Sequence, residues 1–429
     1  MSEIERESVT KKSVLDRLPG SSWLIMMLII HAVLAGIYWD YTPYGAPPDE
    51  EAHGQYVHVL VEKHRLTNFT GYAGDGYEAH QPPLYYVMAM PFLIAGRALG
   101  MDQPGEMVRL LSLLLGALSV TVIYFAVQTA FSGDKQMALR CAAFAAFLPT
   151  HTMVSSSVSN TVLVEVLFGL TFLLAADALV KGPSWRKTVM LGLVVGAGLL
   201  TNGTCLILFG VALLTYALLW RHGRLSLGAA GKHMLAVIIV GAMIGGWWLV
   251  RNQVRYGDPL AGAMFCKVFR NLPGPVLFFA EGWSLQVYVR TVILWTFTSF
   301  WGCFGHMNVW MPAWTHLALA LVTITVSIGF VVRLARRKLP LDGSVAIVYG
   351  VTLLAVVTAL AFFNTKWLQA QGRYLYPALV PISVFWVLGI GRFAPRNELL
   401  RTFLVVSVPL AVQVVAIATC IVPIMPYYY

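Results

Sequence analysis

The sequence predicts an all-α integral membrane protein with about eleven transmembrane helices (11–13), and three observations carry that prediction. The first is composition. Of 429 residues, 58% are hydrophobic and 12% charged, whereas soluble proteins hold about 45–50% apolar and about 25% charged residues. One water-facing domain cannot hide so much apolar surface, which excludes a soluble globular enzyme and any disordered or fibrous class. The second is the recurrence of apolar runs near the roughly 20 residues that a membrane helix needs. The third is charge placement. The 30 Lys and Arg against 20 Asp and Glu give a formal charge of +10. The basic residues gather in short clusters between apolar runs, which is how topology is encoded. No basic domain, zinc spacing or RNA-binding motif is present, so no nucleic-acid partner is expected. Cys141, Cys205, Cys266, Cys303 and Cys420 form no CxxC pair, and neither a disulfide framework nor a cysteine metal site is indicated.

The first run, 22–39, follows Lys11, Lys12 and Arg17, so the N-terminus is expected on the cytoplasmic side. No small-residue cleavage pattern precedes Tyr38-Trp39-Asp40, and the run reads as a retained anchor. Further spans are expected near 109–131, 138–155, 160–180, 188–202, 203–220, 234–250, 313–333, 345–363, 374–392 and 401–423. Two more runs, 82–99 and 286–305, are ambiguous, and charge arbitrates. If both crossed, Lys135, Arg140, Lys181, Arg186 and Lys187 would lie outside. If neither crosses, the clusters at Lys135/Arg140, Lys181/Arg186/Lys187, Arg221/Arg224/Lys232, Arg333/Arg336/Arg337/Lys338 and Arg392/Arg396/Arg401 all fall inside. With the N-terminus, that places 19 of the 30 basic residues in the cytoplasm. The two runs are therefore expected to lie along or dip into the outer leaflet.

The chain reads as one polytopic domain, 1–429, with two long outer segments, 40–108 and 251–312. Function in so apolar a chain is expected where polar residues concentrate. Gly192/Gly196 and Gly241/Gly245 are the spacing of close helix-packing faces.

The first outer segment begins Ala46-Pro47-Pro48-Asp49-Glu50-Glu51-Ala52-His53. Carboxylates just outside the membrane can act as general bases or bind a divalent cation, and Asp49 can equally be a helix N-cap. Asp49 and His53 stand four residues apart, on one face if the segment is helical. That pair suits an oriented base or a metal site, and it also suits an ordinary surface helix. Further on, Glu78-Ala79-His80-Gln81-Pro82-Pro83-Leu84-Tyr85-Tyr86 again sets a carboxylate and a histidine before a Pro-Pro pair, and Pro favours a helix first turn. Eleven basic residues lie outside in this topology: Lys63, Arg65, Arg97, Arg109, Arg251, Arg255, Lys267, Arg270, Arg290, Lys366 and Arg373. Each can snorkel to headgroups or hold phosphate. Glu165, an intramembrane carboxylate, is a functional candidate or the structural partner of a histidine such as His151.

Together, Pro-Asp-Glu after a short anchor, His80-Gln81-Pro82-Pro83-Leu84-Tyr85-Tyr86 about 30 residues later, Arg109 with Ser112, and Gly372-Arg373-Tyr374 with Pro377 resemble the GT-C superfamily of polytopic glycosyltransferases. The resemblance is strongest to bacterial members related to protein O-mannosyltransferases and aminoarabinose transferases. It implies a bacterial inner-membrane enzyme that moves a sugar, with inversion, from a polyprenyl-phosphate carrier to an acceptor at the outer face. It implies Asp49 and Glu50 as catalytic residues, with Asp49 the base or a ligand of Mg or Mn. Arg109 and Arg373 become the leading residues for the lipid phosphate. His53, Glu78, His80, Asn160, Arg251, Arg255 and Tyr374 complete the expected binding set. Where many relatives carry a second outer acid, this chain has Ser155-Ser156-Ser157-Val158-Ser159-Asn160. An Asn can ligate a cation through its carbonyl, but the lost charge weakens a metal site. Because the chain ends soon after its last span, acceptor choice is expected to fall to the two outer segments or a partner membrane protein. The competing reading is a non-catalytic GT-C-like subunit that scaffolds a larger complex, which predicts a filled cavity.

Overall fold

A computed structural model describes residues 20–70, 76–336, 339–394 and 397–428. Lys11, Lys12, Arg17, Arg337, Lys338 and Arg396, part of the charge argument for topology, lie outside the described residues.

The chain is a helical bundle. It opens with α1 (Gly20–Tyr41), followed by α2 (Glu50–Lys63) and α3 (Leu84–Ala98) in the first long segment. Next come α4 (Arg109–Ala130), α5 (Lys135–Ala146), α6 (Pro149–Ser155), α7 (Thr161–Lys181), α8 (Trp185–Leu199), α9 (Leu206–Arg221) and α10 (Leu227–Tyr256). The second long segment holds α11 (Gly262–Val268), α12 (Pro275–Ala280), α13 (Leu285–Trp301) and a small antiparallel pair, β1 (Cys303–Phe304) with β2 (Val309–Trp310). The bundle closes with α14 (Ala313–Ala335), α15 (Gly343–Asn364), α16 (Leu379–Ile390) and α17 (Glu398–Ala416).

Among the described residues, nine helices are long and apolar enough to cross a membrane, or ten if the bent pair α5–α6 is one span. The chain is an integral membrane protein. The expected run 138–155 is broken by 72°, because Pro149 opens α6 and disfavours helix at the residue before it. The run 188–202 becomes α8, only 15 residues long. At about 1.5 Å per residue, it falls short of a hydrocarbon core about 30 Å thick. Neither ambiguous run is among the nine.

The glycine pairs do what their spacing predicts. A Cβ on Gly245 would stand 2.6 Å from the Gly196 carbonyl, and one on Gly192 would stand 2.7 Å from Val240. Helices α8 and α10 therefore pack backbone to backbone, which larger residues would forbid. The basic turns meet at one end of the bundle. Lys187 binds Asp177, Arg224 bonds the Leu179 carbonyl, Arg140 pairs with Glu398, and Arg333 donates to the Gly391 carbonyl. The two long segments meet at the other end. There Arg251 donates to the Thr67 carbonyl at 2.6 Å, and the Phe69 amide donates to the Tyr256 hydroxyl at 2.9 Å.

Candidate active site

At that second end lies a cavity of about 490 Å³. One wall comes from the first segment and bears Asp49, His53, Tyr77, Glu78, His80 and Gln81. Asn160 before α7, Asn202 and Thr204 before α9, and Gln369, Arg373 and Tyr374 before α16 supply further polar groups. Phe265, Phe269, Phe363 and Trp367 form an aromatic roof. Phe265 and Trp367 meet edge to face at 5.2 Å, and the Trp367 indole donates to the Phe269 carbonyl at 2.8 Å. Apart from His53 in the first turn of α2, these polar groups lie in the connections between the long helices, where backbone hydrogen bonding is incomplete and polar side chains belong.

Asp49 holds the N-cap position of α2, yet its side chain caps nothing. Its φ of 65° lies in the left-handed region, which Asp tolerates better than most residues. Such conformations collect at functional sites. Here the turn aims the carboxylate at Arg373, whose Nη2 donates to Oδ2 at 2.6 Å. Burial opposes ionisation of Asp49, but Arg373 and then His53 outweigh it and hold the carboxyl below its ordinary range. The guanidinium of Arg373 also bonds Gln371 at 2.7 Å and the Pro48 carbonyl at 3.4 Å, which leaves its five-donor fork unexhausted. Gly372 explains the Gly-Arg-Tyr motif: a Cβ there would collide with the Phe300 backbone, so only glycine lets Arg373 sit this deep.

Glu78 is buried, and its Oε2 has no hydrogen-bond partner among the described residues. It lies 4.0 Å from His53 Nδ1 and 3.9 Å from His80 Nε2. Burial raises the carboxyl to about 7. Burial also lowers both imidazoles, His80 to about 4. His80 Nδ1 donates to the Tyr77 carbonyl at 3.2 Å, and His53 Nδ1 shares a 2.8 Å hydrogen bond with the Tyr86 hydroxyl. Both rings are thus placed by neighbours and neutral near pH 7.

Glu50, the next residue after Asp49, points away from this cavity. It is fully buried in a two-pronged pair with Arg109, with Nε to Oε1 at 2.8 Å and Nη2 to Oε2 at 2.7 Å. The Gly45 and Val158 amides bind the same carboxylate. Arg109 spends its remaining donors on the carbonyls of Trp39, Thr42 and Pro43. All five of its N–H groups are consumed and it is 1% exposed. The expectations of a catalytic Glu50 and a phosphate-binding Arg109 are therefore corrected. The pair is a bolt joining α1, α2, α4 and the turn before α7.

Arg251 and Arg255 also lie off the cavity. Arg251 braces Thr67 and packs over Trp248 at 4.6 Å, and Arg255 is exposed at the end of α10. The expected cation site is not matched by the donor set. Asp49 spends Oδ2 on Arg373, Asn160 donates to the Thr201 carbonyl, and among the described residues no three His, Cys, Asp or Glu are grouped to hold one ion. Glu165 pairs with His151 at 3.0 Å inside the bundle, as its intramembrane position suggested.

Sequence reasoning missed Gln81, Asn202, Thr204, Gln369 and the aromatic roof as site residues. Asn202-Gly203-Thr204 matches a glycosylation sequon, a three-residue pattern too common to mark a site. The usable signal was position: it interrupts two apolar runs on the same side as Asn160, and Asn202 reaches Gln81 at 3.2 Å.

A polytopic membrane protein with a polar, ion-paired cavity under an aromatic roof is the class this architecture defines. Its fold is similar to that of solved polytopic membrane proteins. Residues 80–248 match the family described as dolichyl-phosphate-mannose-protein mannosyltransferase. The chain is similar in structure to ArnT from Cupriavidus metallidurans bound to undecaprenyl phosphate, with TM-score 0.53 and 16% identity over 88% of this chain and 61% of that one. It is also similar to the oligosaccharyltransferase AglB from Archaeoglobus fulgidus in complex with an inhibitory peptide and a dolichol-phosphate, with TM-score 0.50 and 15% identity over 94% and 56%. The chain thus spans about three fifths of the length of these proteins or less. No curated protein sequence matches it.

Proposed function

We propose that this protein transfers a sugar from a polyprenyl-phosphate-linked donor to a hydroxyl acceptor at the outer face of a bacterial inner membrane, with inversion at the anomeric carbon. The observation that carries the reading is the Asp49–Arg373 pair in the cavity wall. A departing lipid phosphate needs a cation rather than an acid, and an arginine fork supplies one that stays charged. Asp49 keeps Arg373 oriented, and its second oxygen is placed to accept a hydrogen bond from the incoming hydroxyl. The aromatic roof offers apolar faces to sugar and prenyl carbon, and the carboxamides of Asn160, Gln81 and Gln369 suit sugar hydroxyls. An open cavity of about 490 Å³ favours a substrate-binding protein over the non-catalytic scaffold, which would fill it.

The reading is tested with purified protein in liposomes and labelled polyprenyl-phosphate mannose, glucose and aminoarabinose as donors. At least one donor should be consumed, and Asp49→Asn should lower turnover by 10²-fold or more, on the order of a lost charge-stabilising contact. Wild-type turnover in well-folded Asp49→Asn protein would remove Asp49 from the mechanism.

A further inference from the structure

Away from the cavity, a second hollow of about 370 Å³ opens on the flank of the bundle between α14 and α17. Ala318, Leu319 and Val322 face Val408, Ala411 and Val412 across it, and no charged residue lines it. Arg333, near the end of α14, and Glu398, at the start of α17, belong to the basic end of the bundle. The hollow uses the first ten residues of α14 and the second half of α17. It therefore lies in the half of the membrane on the cavity's side. From Trp314 to Val322 it runs about 12 Å along α14, at about 1.5 Å per residue. Ala318 and Ala411 leave the space open, while Leu317 and Leu410 stand exposed beside them.

One polar atom in the hollow is unsatisfied. Thr315 is 3% exposed, and its Oγ1 has no hydrogen-bond partner among the described residues. A threonine in a membrane helix commonly donates to the carbonyl four residues back, as Thr121, Thr215, Thr325 and Thr352 do here. Thr315 stands in the first turn of α14, so the residue four back, Met311, precedes the helix, and that bond is not made. The other hydroxyl of the lining, Ser407, donates to the Leu404 carbonyl at 3.4 Å. A buried donor left unmet is costly, so an acceptor from outside the chain is favoured. Trp314, next to Thr315, is 62% exposed, and an indole at a span's end sits at the level of lipid headgroups. The hollow thus has an interfacial end with one donor and an apolar length running inward from it.

Independently of the transferase reading, we propose that this hollow is a second lipid site: it seats one acyl chain of an ester-linked glycerophospholipid, whose ester carbonyl accepts a hydrogen bond from Thr315 Oγ1. The ester carbonyl is a neutral acceptor at the base of the headgroup, and its chain leads inward, the order in which the hollow presents donor and apolar wall. A prenyl phosphate does not match that order. Its phosphate calls for a cation, none of which lines the hollow, and its hydrocarbon chain offers Thr315 no acceptor. A second membrane helix matches no better. Its carbonyls are spent on its own backbone, and close helix contact needs small residues at the rim, where this site has Trp314, Leu317 and Leu410.

The experiment uses the full chain in liposomes of phosphatidylethanolamine and phosphatidylglycerol, with a trace of phosphatidylglycerol carrying a diazirine in mid-chain. Irradiation and peptide mapping should place the label on residues 318–322 and 408–412. Unlabelled diester phosphatidylglycerol should compete at these positions about two- to tenfold better than its diether analogue, the worth of one neutral hydrogen bond. In Thr315→Val protein the two should compete equally. Ala411→Phe fills the hollow and should abolish labelling there with folded yield unchanged. Should that variant fail to fold, the ester–ether comparison in wild type and Thr315→Val still decides. Equal competition by diester and diether lipid in wild type overturns the proposal. So does labelling that survives in folded Ala411→Phe protein, which marks ordinary bulk-lipid contact. Undecaprenyl phosphate competing better than diester phosphatidylglycerol would give the site to a prenyl chain, and cross-links from α14 of one copy to α17 of another would give it to a second copy. Either result overturns the assignment.

Discussion

Asp49 and Glu50 are neighbours in sequence, each pairs with an arginine, and the two pairs are built for opposite purposes. Glu50–Arg109 is closed. Both side chains are fully buried, every guanidinium N–H is taken, and backbone groups from two parts of the chain, residues 39–45 and Val158, converge on it. Asp49–Arg373 is open. Its carboxylate is 38% exposed at the cavity wall, its backbone is turned left-handed, and its arginine keeps donors in reserve. A carboxylate–arginine pair is therefore not in itself evidence of a reaction site. Unspent hydrogen-bonding capacity facing a cavity is what separates the open pair from the closed one.

Breaking the closed pair should cost most. Arg109→Ala leaves a buried carboxylate without its counter-ion, a loss of about 3–5 kcal/mol, read as collapse of folded yield or a lowered Tm in detergent. A stably folded but inactive Arg109→Ala protein would move Arg109 into the site. At the open pair, Arg373→Lys keeps the charge but loses the fork. It should weaken undecaprenyl phosphate binding by about tenfold to a hundredfold, one to two charged hydrogen bonds, with Tm little changed.

Glu78 sharpens the comparison through pH. Its carboxyl lies at about 7 in the folded chain against an ordinary 4.5. The stability it lends is thus fully present below about 4.5 and lost as pH rises through about 7. Glu78→Gln should raise stability at pH 8 relative to wild type by at least about 1 kcal/mol, since each pKa unit is worth about 1.4 kcal/mol. A variant less stable than wild type at pH 8 would contradict the raised proton affinity of this buried carboxyl. The smallest effect is expected at Arg251, which only braces Thr67 and stacks on Trp248. Arg251→Ala should cost about 1 kcal/mol and leave donor affinity unchanged in a binding isotherm.

The membrane class was legible because composition and apolar runs report directly on what lipid must cover. The α8–α10 contact was legible for the same kind of reason, since Gly192/Gly196 and Gly241/Gly245 state how closely two backbones approach. Asp49, Arg373 and His80 were legible as a pattern of short motifs flanking helices. The separation of Arg109 from Arg373, two residues given one role by their motifs, was not. Both sit at the start of a helix beside a motif, and only the fold decides that three carbonyls and Glu50 surround one while a cavity opens before the other. Gln81, Asn202 and Gln369 were hidden for a similar reason: a neutral amide in a short turn carries no sequence signal until three distant turns meet.

The account rests on the open pair being the seat of the lipid phosphate. Structure determination with undecaprenyl phosphate bound tests this most directly. The account predicts the phosphate in the cavity, within hydrogen-bond distance of Arg373 and beside Asp49, with the Glu50–Arg109 pair unchanged. A phosphate held elsewhere, with the Asp49–Arg373 pair untouched, would contradict it.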